Sequence, residues 1–143
     1  EENFEIVSTL DGNDTVDGGF AAAQDMLSAN PDLSVIYAAN DASAIGAQRA
    51  METAGKPVAD GFVLIGFDGS DAALDLIDEG LMSATVAQDP YGQGMRAVET
   101  VLALLEGGDA GYDDASAKTI FFPVELVTAD NLEDFRAARA EQD

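Results

Sequence analysis

Three apolar runs of strand length each end at a polar side chain that forms hydrogen bonds well. The runs stop at Asn40-Asp41, Phe67-Asp68 and Gln88-Asp89. If the runs are strands of one parallel sheet, their carboxyl ends share one edge, which is where open α/β sheets bind ligands. The sequence therefore predicts one binding site, separated in sequence but joined in space, that contains Asn40, Phe67, Asp68 and Gln88.

These residue types suit a polyhydroxylated ligand. An aromatic ring packs against the apolar C–H face of such a ligand, and carboxylates and amides pair with its hydroxyls. A hydrogen bond to a charged acceptor contributes about 1.5 to 3 kcal/mol. Neither Lys nor Arg lies near these strand ends in the sequence, so a phosphate or carboxylate ligand is poorly matched. A purely structural role, with Asp41 as a helix cap and Asp68-Gly69 as a turn, remains the alternative.

The composition excludes several classes of function. The 143 residues carry 28 Asp and Glu against 6 Lys and Arg, a net charge of −22, which opposes binding to nucleic acid or to an anionic membrane surface. Cys and His are both absent, which removes thiolate nucleophiles, the Ser-His-Asp triad, the usual zinc ligands and histidine proton shuttles. We predict no catalytic residue, no metal and no cofactor. The acidic residues are expected to form a solvated surface like that of halophilic proteins, with a cation-binding surface as the alternative.

Strands that alternate with helices predict βαβ units and a mainly parallel sheet. The expected fold is a three-layer α/β fold of the flavodoxin or Rossmann type. Strands are predicted at residues 4–8, 33–39, 62–67, 81–87 and 120–127. Helices are predicted to end at Pro31, to run from an Asp41 cap to Gly55, and to span 71–79, closed by Gly80, and 91–106. Four residues of the last helix are predicted to share one apolar face, namely Met95, Val98, Leu102 and Leu105. The tail 131–143 has helical composition but few apolar residues, and we expect it to be partly frayed.

The motifs in this order resemble the C-terminal half of a periplasmic sugar-binding protein of the ribose type. They are NPDL at 30–33, AAND at 38–41, IGFDG at 65–69, ATVAQ at 84–88 and FPVELVT at 122–128. The resemblance covers nearly the whole chain. It implies that Asn40, Phe67, Asp68 and Gln88 contact the sugar and that Asp41, beside the ligand asparagine, is the helix cap. The loop 12–15 lacks the aromatic residue that ribose-type members often carry there, so the resemblance does not single out ribose.

The resemblance also implies an architecture. Family members have two lobes joined by crossing strands, and the lobes close on the sugar by a hinge motion. Residues 1–88 would belong to the C-terminal lobe, 89–119 would cross the hinge with a helix that packs on the N-terminal lobe, and 120–143 would form a closing strand and tail. The chain would be a non-enzymatic fragment of a periplasmic or extracellular protein. Its expected partners are a small sugar, the membrane subunits of an ABC-type importer or a chemoreceptor, and the missing lobe or a second copy in a domain-swapped dimer.

Two other classes of function share this type of sheet. The effector-binding core of a LacI-type repressor has similar motifs, although a net charge of −22 is unfavourable for a protein bound to DNA. A flavodoxin-like enzyme could use Asp41 and Asp68 as general acid and base.

The stretch 11–22 also begins like a calcium loop, but Val16 replaces the required glycine and Ala22 replaces the final acid.

Overall fold

The computed structural model describes residues 5–141, which contain four strands and five α-helices. The strands are β1 (Val35–Tyr37), β2 (Val63–Asp68), β3 (Ala84–Ala87) and β4 (Glu125–Thr128). The α-helices are α1 (Val16–Ala29), α2 (Asp41–Thr53), α3 (Asp71–Asp78), α4 (Pro90–Leu105) and α5 (Leu132–Ala140), with a short 3-10 turn at Val58–Asp60. The sheet order is β1-β2-β3-β4, and β2 pairs in parallel with both β1 and β3. The predicted α/β fold with a mainly parallel sheet is confirmed.

The chain separates into two compact units. The first contains Glu1–Ala87 and Leu126–Asp143, and the second contains Gln88–Glu125. Within residues 5–141, no helix combines the length and the apolar character needed to cross a membrane.

The core of the first unit lies around β2 and the helices beside it. Leu64 of β2 is fully buried, and so are side chains from the helices and from β4, including Ala44, Met51, Leu74, Ile77 and Val127. Alternate residues of β2 are buried and half-buried along most of its length. The strand is therefore packed inside the unit and delivers only its carboxyl end to the surface.

Helices α1 and α2 approach each other at the level of the backbone. A Cβ atom added at Gly46 would lie 2.0 Å from the carbonyl oxygen of Val16, and one added at Gly19 would lie 2.3 Å from that of Ser43. Both distances are far below van der Waals contact, so only glycine fits at either position. This contact fixes the start of α1 against the start of α2.

The predicted cap of α2 is wrong. Asn40 is the N-cap, because its backbone is extended (φ −150°, ψ 163°) and its Oδ1 accepts a hydrogen bond from the Ser43 N–H at 2.8 Å. Asp41 is instead the first residue of the helix. The predicted stops hold: Gly55 and Gly80 follow the caps of α2 and α3 with φ of 66° and 72°, values that glycine adopts without strain.

Both ends of the first unit differ from the prediction. Residue 4 of the predicted strand 4–8 lies outside the described residues, and 5–8 form no regular structure, with Ile6 84% exposed. The described part of the tail is not frayed, because α5 is docked. Leu132 is buried, and Arg136 pairs with Asp75 at 2.7 Å and with Asp78 at 3.2 Å.

Candidate functional site

The parallel register brings the ends of β1 and β2 to one edge of the sheet. Tyr37, the last residue of β1, is opposite Ile65, and the N–H of Ala38 donates to the carbonyl of Ile65 at 2.8 Å. Asn40 follows two residues later, and Phe67 and Asp68 end β2. The structure therefore brings these three predicted site residues to the same edge.

Gln88, the fourth predicted site residue, lies after β3 and not after β1 or β2. It directly follows Ala87, the last residue of β3, which is opposite Asp68 in the register. It is also the first residue of the second unit and is half-buried. Its place among the ligand-binding residues stays a prediction.

Asp68 is held in a strained backbone conformation. Its φ is 128°, a value that residues with a side chain rarely adopt, and it is exposed at the end of β2. Such strain costs about 1 to 3 kcal/mol and is concentrated at functional sites, where the surrounding structure enforces it. The half-buried Phe67 precedes it, so an aromatic ring and a carboxylate are adjacent at this edge.

The amide of Asn40 is oriented at both ends. Its Oδ1 caps α2, and its Nδ2 donates to Asp14 Oδ1 at 2.7 Å. An amide has two N–H groups and two acceptor lone pairs, so one of each remains for a ligand. Capping the helix and binding a hydroxyl are therefore compatible roles for this side chain.

Asp41 connects three elements beneath the edge. Its side chain is only 2% exposed, and it accepts hydrogen bonds from the Ser70 N–H and the Thr85 hydroxyl, each at 2.7 Å. The first residue of α2 is thereby tied to the turn after β2 and to β3. The sequence placed Asp41 beside the site but missed this positioning role.

Gly66 makes the space that Asp41 occupies. A Cβ atom at this position would lie 2.3 Å from Asp41 Oδ1 and 2.6 Å from Met82 Cε. A glycine inside a strand often marks the close approach of another group. The glycine of the IGFDG motif was therefore the available signal for a buried neighbour.

The backbone that follows Asp68 is clamped from two sides. The Gly69 N–H donates to Thr85 Oγ1 at 3.3 Å, and the Gly69 carbonyl accepts from Arg139 Nη1 at 2.8 Å. Ser70 then caps α3 through a bond from the Ala73 N–H. These contacts supply the enforcement that the strained Asp68 requires.

The side chains at this edge are suited to the recognition of hydroxyl groups. They provide an aromatic face, amide groups and carboxylate acceptors, and within the described residues no group of three or more acids is placed to hold a metal ion. Asp41 and Asp68 do not resemble a catalytic pair, because Asp41 is buried and bonded to two donors.

The second unit presents an apolar helix face. Helix α4 has no buried residue, and the four residues predicted to share one face are all exposed. Their exposed fractions are 49% for Met95, 58% for Val98, 53% for Leu102 and 79% for Leu105.

A family model described as a periplasmic binding protein domain matches residues 1–109. The ribose import binding protein of Escherichia coli is 38% identical over 89 residues, which cover 62% of this chain and 29% of that protein. The D-ribose/D-allose-binding protein of Pseudomonas aeruginosa is 36% identical over 127 residues, which cover 88% of this chain and 38% of that protein.

A solved structure supports the same relationship. An ABC transporter periplasmic solute-binding protein of Actinobacillus succinogenes with bound D-allose superposes with a TM-score of 0.80 at 26% identity. The match covers 93% of this chain and 44% of the solved one. The chain thus spans less than half the length of each of these relatives.

Proposed function

We propose, because the chain belongs to the periplasmic binding protein family, that it is the C-terminal half of a solute-binding protein for a small sugar. Members of this family bind solutes and are not enzymes. The observation that carries the proposal is the strained, exposed Asp68 that follows Phe67 on the edge shared with Asn40. The proposed location is periplasmic or extracellular.

The four proposed site residues have three kinds of role. The Phe67 ring packs on the apolar face of the sugar, and the Asp68 carboxylate accepts hydrogen bonds from two neighbouring hydroxyls. Asn40 and Gln88 each offer an amide donor and an acceptor. The sugar stabilises the closed form through contacts with both lobes, and an importer or a chemoreceptor recognises that closed form.

Calorimetry of the full-length protein tests the proposal with two sugars, D-ribose and D-allose, and with the cyclic polyol myo-inositol. A myo-inositol binding protein of Caulobacter, 30% identical to this chain, binds the last of these. Asp68→Ala removes the carboxylate, and Asp68→Gly removes it while accepting the φ of 128° without strain. Both variants should lose binding by at least about 100-fold, as expected for two charge-assisted hydrogen bonds. Asp60→Ala, which removes an exposed carboxylate from the 3-10 turn, is the matched control. Unchanged affinity in Asp68→Gly would contradict the assignment.

The apolar face of α4 is proposed to pack on the N-terminal lobe of the complete protein. The support is that the face is exposed, while the chain spans only 29 to 44% of the length of the three relatives. Sedimentation of the 143-residue chain should show self-association, which co-expression of the N-terminal half abolishes by forming a one-to-one complex. Leu102→Asp should weaken that complex. A chain that remains monomeric, melts cooperatively and ignores the other half would contradict the proposal.

The residues that precede Glu1 in the gene provide a further test. A secretory signal peptide followed by a lobe of similar fold is expected. A basic helix-turn-helix headpiece would instead favour a repressor and contradict the proposed location.

A further inference from the structure

The loop before α1 lies against the start of α2. A Cβ atom at Gly12 would lie 3.0 Å from Ser43 Oγ, and the Gly12 carbonyl accepts from the Thr15 N–H at 3.2 Å. Thr15 then caps α1 through a 3.0 Å bond from the Gly18 N–H. The loop is therefore ordered by its own hydrogen bonds and lies close to Ser43 in the first turn of α2.

Two successive residues of this loop adopt left-handed backbone conformations. Asn13 and Asp14 have φ of 51° and 53°, and the Asn13 N–H donates to Asp11 Oδ1 at 2.8 Å. Asn and Asp are the residues other than glycine that tolerate this region best. This conformation places the Asp14 carboxylate 2.7 Å from Asn40 Nδ2, across 26 residues of sequence.

We propose that Asp14 is a positioning residue for Asn40, an inference that rests on the proposed sugar-binding function. The cap to Ser43 holds only the oxygen end of the Asn40 amide, and the bond to Asp14 holds its nitrogen end. The Ser43 N–H requires an acceptor and Asp14 requires a donor, so only one orientation satisfies both. The protein thereby presents a defined N–H and a defined lone pair to a pair of sugar hydroxyls.

The ¹⁵N spectrum of the full-length protein tests this orientation without any sugar. The Asn40 side-chain amide, assigned by its loss in Asn40→Ser, should give one well-dispersed pair of resonances. Asp14→Gly keeps the left-handed backbone but removes the carboxylate. In this variant the chemical shifts of the Asn40 amide pair should move towards those of a solvated amide. Asp14→Asn keeps an acceptor oxygen and should restore the dispersion. Asp17→Asn, an exposed acid in the first turn of α1, should change nothing.

Calorimetry with D-ribose, D-allose and myo-inositol then connects orientation to binding. Asp14→Gly should weaken the tightest of these ligands by about 10- to 100-fold, and Asp14→Asn should recover most of the loss. An Asn40 amide pair that keeps its wild-type position in Asp14→Gly overturns the inference. If the pair depends on Asp14 but none of the three ligands binds the wild-type protein, the proposed function fails while the positioning role stands.

Discussion

Replacement of the buried Asp41 carboxylate should destabilise the first unit strongly. Asp41→Ala leaves the Ser70 N–H and the Thr85 hydroxyl without their acceptor. A buried donor left unpaired costs about 1 to 3 kcal/mol, which applies in full to the buried Thr85 hydroxyl. The Ser70 N–H is half-buried and adds less, so the predicted loss is about 1 to 4 kcal/mol. Since the free energy of unfolding of a native domain is about 5 to 15 kcal/mol, this loss is a large share of the total stability.

Urea unfolding followed by far-ultraviolet circular dichroism measures this loss. Asp25→Ala removes the same charge from an exposed position in α1 and should change the free energy of unfolding by less than about 0.5 kcal/mol. Asp41→Asn retains one acceptor oxygen and should show roughly half of the effect of the alanine variant. If Asp41→Ala costs no more than Asp25→Ala at an unchanged urea slope, the proposed network does not stabilise the fold.

A double-mutant cycle separates the Asp41–Thr85 bond from the rest of the network. Thr85→Val removes the hydroxyl that donates to Asp41 and accepts from the Gly69 N–H. In the Asp41→Ala background, Thr85→Val should reduce the free energy of unfolding by at least about 1 kcal/mol less than it does in the wild-type protein. Strict additivity would show that the two side chains act independently.

Three further predictions concern packing, surface charge and pH. Gly46→Ala should cost more than about 3 kcal/mol in urea unfolding because its Cβ would meet the α1 backbone, whereas Gly94→Ala, in open space on α4, should be neutral or stabilising. Arg136→Ala should cost about 0.5 to 1 kcal/mol at low salt and less in 1 M NaCl, since its pairs with Asp75 and Asp78 are exposed; an equal loss at both salt concentrations would contradict this. Hydrogen bonds from the Ser116 hydroxyl and then from the Ala117 and Ser116 N–H groups hold the pKa of Asp114 below its ordinary value of 3.8. The ionised Asp114 therefore stabilises the folded state above pH 3.8, and this contribution is lost as the pH falls through the lower pKa of the folded state. Carbon-13 titration should show that Ser116→Ala raises this pKa, and an unmoved value would show that the Ser116 hydroxyl does not lower it.

Local signals predicted most of the fold. The helix stops at Gly55 and Gly80 follow from the freedom of glycine to adopt positive φ, and the order of strands and helices follows from apolar periodicity. The strand predicted at 4–8 failed for a long-range reason. Its brief alternation stabilises a strand only when a sheet edge accepts it, and residues 5–8 have no such pairing.

The residues proposed for the site follow from the sequence, but the contacts that support them do not. Asn40 and Asp41 are both good caps by residue type, so the sequence could not tell which one caps the helix and which one is buried. Asp14 and Arg139 lie 26 and 70 residues from their partners, and no local pattern predicts hydrogen bonds over such separations. The same is true of α5, which docks through Arg136 onto acids of α3.

The bond from Arg139 to Gly69 makes the conformation of the Asp68 turn dependent on α5, which is synthesised later. During synthesis the Asp68 turn emerges long before the guanidinium that clamps it, and at about 5 to 20 residues per second the 70 intervening residues take roughly 4 to 14 seconds to add. Until Thr85 is added, 16 residues after Gly69, the strained turn lacks both clamps, and for the rest of the interval it lacks Arg139. A ribosome-bound nascent chain that ends before α5 should therefore hold β2 and α3 without a fixed Asp68, so this turn reaches its final geometry only after α5 has been added.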